Sequence, residues 1–138
     1  MLLDKNALLN MPAPKIERID CPDDGHIFIR ALPMADLDEY EAENYIVDSN
    51  SGKVSYNRRN IRARLLVRAI CDDKGNPVFT MKDVDAVSKR TGKFWDDCYR
   101  AALRLNGMTG KEDVEMAEKN SESAPDENFA LPWRGSSE

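Results

Sequence analysis

The sequence predicts an α+β fold, predominantly α: an N-terminal β-hairpin packed on four to five helices, with a flexible C-terminal tail. Three observations carry that expectation. Two short apolar runs between residues 15 and 32 flank Pro22-Asp23-Asp24-Gly25, where proline presets one turn dihedral and glycine tolerates positive φ. From about residue 57 to residue 106, apolar side chains recur at helical spacing. Beyond Asn120 the chain reads Ser-Glu-Ser-Ala-Pro-Asp-Glu-Asn, a composition with too little apolar surface to fold by itself. The 138 residues suffice for one domain with a modest core. The expected organisation is a flexible leader at 1–14, a hairpin-plus-helical domain at 15–120 and a disordered tail at 121–138.

The elements follow in order. The leader carries two apolar pairs, Leu2-Leu3 and Leu8-Leu9, and ends in Met11-Pro12-Ala13-Pro14, which stops any helix. The hairpin is clearest in its second strand, Ile27-Phe28-Ile29. Alone it would be marginal, so it must lean on helices. After Pro33 an acidic helix is expected from about Ala35 to Val47, with Leu37, Tyr40 and Val47 inward, and Ser49-Asn50-Ser51-Gly52 breaks it. A central helix should run from about Asn57 to Cys71, leaving only a narrow polar strip at Arg64 and Arg68. Asp72-Asp73-Lys74-Gly75-Asn76-Pro77 is a stop. Thr80 and Asp83 form a capping box for a short helix to Ser88, with Met81, Val84 and Val87 inward. Thr91 is expected to cap the next helix, which reaches Asn106 on a stripe of Phe94, Cys98, Ala101 and Leu105. Asp96 and Arg100 pair across one turn of it. Thr109 and Glu112 would cap a last, weakly anchored helix. Ile61, Leu65 and Ile70 should share one core with Phe94, Cys98 and Leu105.

Charge and chemistry narrow the function. The net charge of −5, from 25 acidic and 20 basic side chains, opposes a general affinity for nucleic acid or an anionic membrane. Cys21, Cys71 and Cys98 are an odd, widely spaced set, the pattern of a reducing compartment. The start carries charges where a secretory signal needs an apolar core, and no long apolar run follows. A cytosolic protein with no membrane partner is expected. His26 is the only histidine and has no second ligand near it in sequence, so no metal site is expected. Asp72, Asp73 and Gly75 resemble a calcium loop only faintly, with the glycine too early and the closing Glu absent. No nucleophile motif or phosphate loop is present. The expectation is no catalytic residue, no cofactor and no metal.

Two features remain. Arg58, Arg59, Arg62, Arg64 and Arg68 are the one concentrated basic run, and the preceding acidic helix holds no basic residue to answer it. Packing of these two helices, joined by arginine–carboxylate contacts, is favoured over phosphate binding. If Arg64 were exposed, Arg64→Ala would cost under about 1 kcal/mol. In the tail, Phe129, Leu131 and Trp133 put large apolar surface where nothing else can fold. They are the candidate partner-binding residues, the alternative being that Trp133 folds back onto the domain to cover a groove.

The order of parts then becomes informative. The hairpin ends in Ile27-Phe28-Ile29-Arg30-Ala31-Leu32 and an acidic helix follows. Next come Asn60-Ile61-Arg62-Ala63-Arg64-Leu65-Leu66 and Cys71-Asp72-Asp73-Lys74-Gly75-Asn76-Pro77-Val78-Phe79-Thr80. Ala101-Ala102-Leu103-Arg104-Leu105-Asn106-Gly107-Met108 leads on to Glu118-Lys119-Asn120. From about Ala7 to Asn120 this resembles the tail assembly chaperones of long-tailed bacteriophages. The resemblance implies a non-catalytic protein of the host cell cytoplasm that holds the tape measure protein during tail tube assembly. It further implies self-association and absence from the finished virion. A structural or adaptor component retained in the tail is the second expectation, ahead of a nucleic-acid-binding regulator and of an enzyme.

Overall fold

The computed structural model describes residues 1–108. In that span, helices are interleaved with two small antiparallel sheets, a mixed α+β fold. The order is α1 Lys5–Leu9, β1 Glu17–Asp20, β2 His26–Ile29, α2 Met34–Glu43, β3 Tyr45–Val47, β4 Val54–Tyr56, α3 Ile61–Ala69, β5 Ile70–Cys71, α4 Val84–Ser88 and α5 Lys93–Leu105. A single 3-10 turn, Met81–Asp83, leads into α4.

The hairpin forms where the turn tetrad requires it. Gly25 takes φ +86°, and the Cys21 amide donates to the Gly25 carbonyl at 3.0 Å, closing the loop. Glu17 then faces Ile29, and Asp20 faces His26. The opposite side of β2 pairs with β5, so the sheet order is β1-β2-β5 and Ile29 lies fully buried in its middle strand.

The helix α3 is the hub. Every side chain from Ala63 to Ala69 is buried, because α2, α4 and α5 all pack on it and β5 continues from its end. It is shorter than its apolar pattern predicts. The Asn57 amide donates to the Asn44 carbonyl at 2.6 Å, and Asn60 sits at φ +56°, so the chain is still turning until Ile61. At the other end, pairing with Ile29 pulls Ile70 into extended backbone. The core joins Ile29, Leu65, Val67 and Cys98, all essentially without solvent contact. Ile70 is buried with them, whereas Ile61, Phe94 and Leu105 are only half-buried against that core.

Several boundaries differ from the sequence expectation. The acidic helix ends at Glu43, not Val47. Asn44 is buried and bonded, and Tyr45-Ile46-Val47 pair with Tyr56-Ser55-Val54 in a second hairpin. Aromatic and β-branched residues fit a pleated strand better than a helix terminus. The segment read as a helix breaker is the turn of this hairpin. Asp48 accepts from the Asn50 amide at 3.1 Å and the Ser51 hydroxyl at 2.7 Å, and Gly52 takes φ +73°. Val47 is consequently exposed rather than inward. Within the leader, the Asp4 carboxylate caps α1, accepting from the Ala7 amide at 2.9 Å. No residue of α1 is buried.

Thr80 and Asp83 do form a capping box, with Val87 buried behind it, but Met81 is exposed. Thr91 is no cap; α5 starts after Gly92, which has φ +121° and caps with no side chain. Arg100 bonds Asp96 at 2.9 Å as expected. The predicted last helix and the tail lie outside the described residues.

Candidate partner-binding surfaces

Three arginines are drawn into the seam between α2 and α3. Arg64 donates to the Asn44 side chain at 2.6 Å, the Asn57 carbonyl at 3.0 Å and the Arg59 carbonyl at 3.0 Å. Arg68 donates to the Glu43 carboxylate at 2.7 Å and the Arg64 carbonyl at 3.0 Å, with Glu39 at 3.6 Å. Arg30 donates to the Arg68 carbonyl at 2.9 Å and to Asp36 at 3.1 Å. The buried ring of Tyr40 lies under both helix arginines, its centroid 5.9 Å from the Arg64 guanidinium carbon and 6.0 Å from that of Arg68. Burial pushes the Tyr40 hydroxyl well above its ordinary range, so it stays neutral.

The arginine–carboxylate packing expected between these helices is therefore present for Arg64 and Arg68. It does not extend to Arg58, Arg59 and Arg62, which are exposed. Arg64 is itself only 7% exposed, so the small cost expected for an exposed Arg64 does not apply. A buried guanidinium that loses its partners, or leaves them behind, costs far more than a surface pair.

The groups with catalytic potential are occupied otherwise. Cys98 is fully buried, and burial pushes its thiol up to about 12, leaving no thiolate near neutral pH. Burial also raises the Cys71 thiol. His26 is exposed on β2, its ring edge-on to Phe28 at 5.4 Å. Asp72 accepts from the Lys74 and Asn76 amides, both at 2.9 Å, which holds its carboxyl below the usual range and ties it into a tight turn. Gly75 provides that turn's positive φ of +85°. Among the described residues no group of three or more His, Cys, Asp or Glu is arranged to hold a metal ion. No described helix is long and apolar enough to cross a membrane.

What the surface does offer is apolar and segregated charge. Leu2, Leu8, Leu9 and Met11 of the leader are all more than half exposed, and on β3 so are Ile46 (52%) and Val47 (63%). These were missed as contact candidates. The signal was present in the paired leucines behind Asp4, a residue type suited to capping, which makes a short helix with no buried residue. Phe129, Leu131 and Trp133 lie outside the described residues.

No curated protein and no solved structure matches the chain. A family model described as phage tail assembly chaperone matches residues 23–121, from the turn of the first hairpin through α5 and beyond. That is 99 of the 138 residues, including every described element from β2 onward. The chain belongs to the phage tail assembly chaperone family.

Proposed function

We propose that this protein binds the tape measure protein and keeps it assembly-competent while the tail tube polymerises around it. Family membership is the observation that carries this reading. The exposed apolar side chains of the leader and of β3 support it, since a holding chaperone works by reversible burial of apolar surface on a partner. The mechanism is association, with no bond made or broken. Phe129, Leu131 and Trp133 add a second set of anchors, because large aromatic side chains supply most of the net affinity in such contacts. The protein acts in the host cytoplasm and leaves before the particle is complete.

Co-expression with the tape measure protein of the same phage tests this. That protein should be insoluble alone and soluble, in complex, when both are present. Failure to co-purify under these conditions would overturn the reading. Mass spectrometry of purified particles separates the remaining alternative: stoichiometric recovery of this chain would make it a structural or adaptor component of the tail.

A further inference from the structure

We propose that Arg58, Arg59 and Arg62, at the entry to α3, form a docking surface for an acidic peptide, and that this chain supplies the peptide from its own residues 112–127. Tape measure binding does not enter, so either reading can fail without the other.

The surface is built before any ligand arrives. Arg58 and Arg59 lie in the turn before α3 and Arg62 in its first turn, all three exposed. That turn is held from beneath. The buried Arg64 donates to the Asn57 and Arg59 carbonyls, both at 3.0 Å, and the Arg59 amide donates to the Asn57 side chain at 3.0 Å. Three cations are thereby presented on pinned backbone, which lowers the entropy cost of a ligand that bridges them. Among the described residues none of the three has a carboxylate within ion-pairing distance. The carboxylates that reach α3 from α2 are taken by Arg64 and Arg68. Arg62 lies over the Tyr99 ring, 5.4 Å from its centroid, which leaves its charge in place. The first turn of α3 holds no acidic residue, so the arginines add to the positive end of the helix. Asp85, which the Asn60 side chain reaches at 3.4 Å, is one carboxylate against three guanidinium groups.

The missing negative charge lies further along the same chain. Residues 1–108 contain 17 basic and 17 acidic side chains, so the net −5 belongs wholly to residues 109–138. Between 112 and 127, seven carboxylates stand against Lys119 alone. The described chain also stops within reach of the patch. Asn106 contacts the Arg30 carbonyl at 3.5 Å, and Arg30 donates to the Arg68 carbonyl at 2.9 Å, which puts the end of α5 beside the end of α3. Tyr99 lies beside the start of α3, at Arg62. From Met108 to the patch is therefore about one length of α3, roughly 14 Å. Four extended residues span about 13 Å, so carboxylates from Asp113 onward have length to spare. At Gly107, with φ +73°, and through the Met108 amide bonding back to the Leu103 carbonyl at 2.7 Å, the chain turns off the axis of α5.

Exposed ion pairs contribute little each, so concentration selects the occupant. A tethered segment meets the patch at an effective concentration on the order of millimolar, which a free acidic peptide does not match. A nucleic acid is the less suitable occupant, because three arginines neutralise few phosphates and the net negative chain repels a polyanion. Docking of residues 112–127 also brings Phe129, Leu131 and Trp133, which follow directly, back to the surface of the body.

Paramagnetic relaxation in the full chain tests the contact. With Cys21→Ser and Ser123→Cys, a nitroxide can be attached at position 123 alone, since Cys71 and Cys98 are buried. The amides of residues 58–62 should then broaden. Most of that broadening should vanish in Arg58→Glu/Arg59→Glu, and separately in Glu118→Gln/Glu122→Gln/Asp126→Asn/Glu127→Gln. It should also vanish as salt rises from about 0.05 to about 0.5 M, over which exposed charges become screened. None of these substitutions removes a described side-chain bond, so the resonances of the core should not move. Isotope-labelled chain without nitroxide, mixed with nitroxide-bearing unlabelled chain, should show no broadening at the patch. Unbroadened patch amides, or broadening that survives Arg58→Glu/Arg59→Glu, would overturn the proposal. Broadening in the mixture would assign the peptide to another copy. Patch amides that stay sharp but shift with an oligonucleotide would assign the surface to nucleic acid. Either outcome sinks docking within one chain.

Discussion

Arg68 illustrates how a residue expected on a polar strip becomes part of the interior. It is 6% exposed, and its charge is answered by Glu43 and by the Arg64 carbonyl. Arg68→Ala should destabilise by about 3 kcal/mol or more, measured by urea denaturation, since the truncation strands partly buried polar partners. Arg68→Met with Glu43→Leu should cost less than the sum of the two single changes, because each single change leaves a charge behind. Cys98 makes a second residue-scale prediction. Its thiol should resist alkylation at neutral pH until the protein unfolds. Its folded pKa is raised from 9.0 to about 12, so the protonated form is favoured by folding. Its contribution is fully present below about 9 and is lost as pH rises through the folded value. Cys98→Ala should therefore flatten the loss of stability between those limits, although the cavity lowers stability at every pH. The pairing of Arg64 and Arg68 with α2 was legible, because an acidic helix without cations beside an arginine-rich apolar one leaves few other arrangements. Which arginines would be consumed was not. Arg58 and Arg59 of the same run fall in the turn before Ile61, and Arg62, although inside α3, lies on its exposed face.

Among the elements, legibility followed length. The helices α3 and α5 were visible because their apolar periodicity persists over several turns, and the first hairpin because its turn chemistry is unambiguous. The strands β3 and β5 were not. A three-residue run such as Tyr45-Ile46-Val47 is too short to show period two, and it continues the helical pattern of Leu37 and Tyr40. The two residues of β5 carry no pattern at all; they are strand only because β2 lies beside them. Leu65→Ala in α3 should destabilise by roughly 2–5 kcal/mol, since the site is fully enclosed and cannot collapse easily. A melting temperature within error of wild type would show the core to be elsewhere. By contrast Val47→Thr on β3 should leave stability within about 0.5 kcal/mol, as surface changes usually do.

For the whole molecule, chemistry could be argued from the sequence mainly by exclusion, and the family likeness came from the order of caps, turns and helices rather than from any one motif. The leader's exposed apolar surface escaped notice because its helix is only five residues long and has no buried residue. At this scale the test concerns the segment carrying Phe129, Leu131 and Trp133, the proposed anchors. Ending the chain after Asn120 should leave the melting temperature nearly unchanged while weakening tape measure binding, read by co-purification. Unfolding on truncation would instead make Trp133 a core residue.

The passage from α3 into β5 occurs without a connecting loop, Ala69 being the last helical residue and Ile70 the first of the strand. The helix end that this exposes is closed from the sheet side: the Arg30 amide donates to the Ala69 carbonyl at 3.0 Å, and the Arg30 side chain to that of Arg68 at 2.9 Å. Sliding or rotating α3 would break those bonds and the Ile29–Ile70 pairing together. Hub and sheet therefore open as one cooperative unit. The amides of Arg30 and of Val78, which donates to the Ile70 carbonyl at 3.1 Å, should exchange with deuterium only through global unfolding. Those of α1 should exchange at once. Among the described residues, any reshaping on binding a partner is then expected in the leader and the second hairpin, outside that cooperative unit.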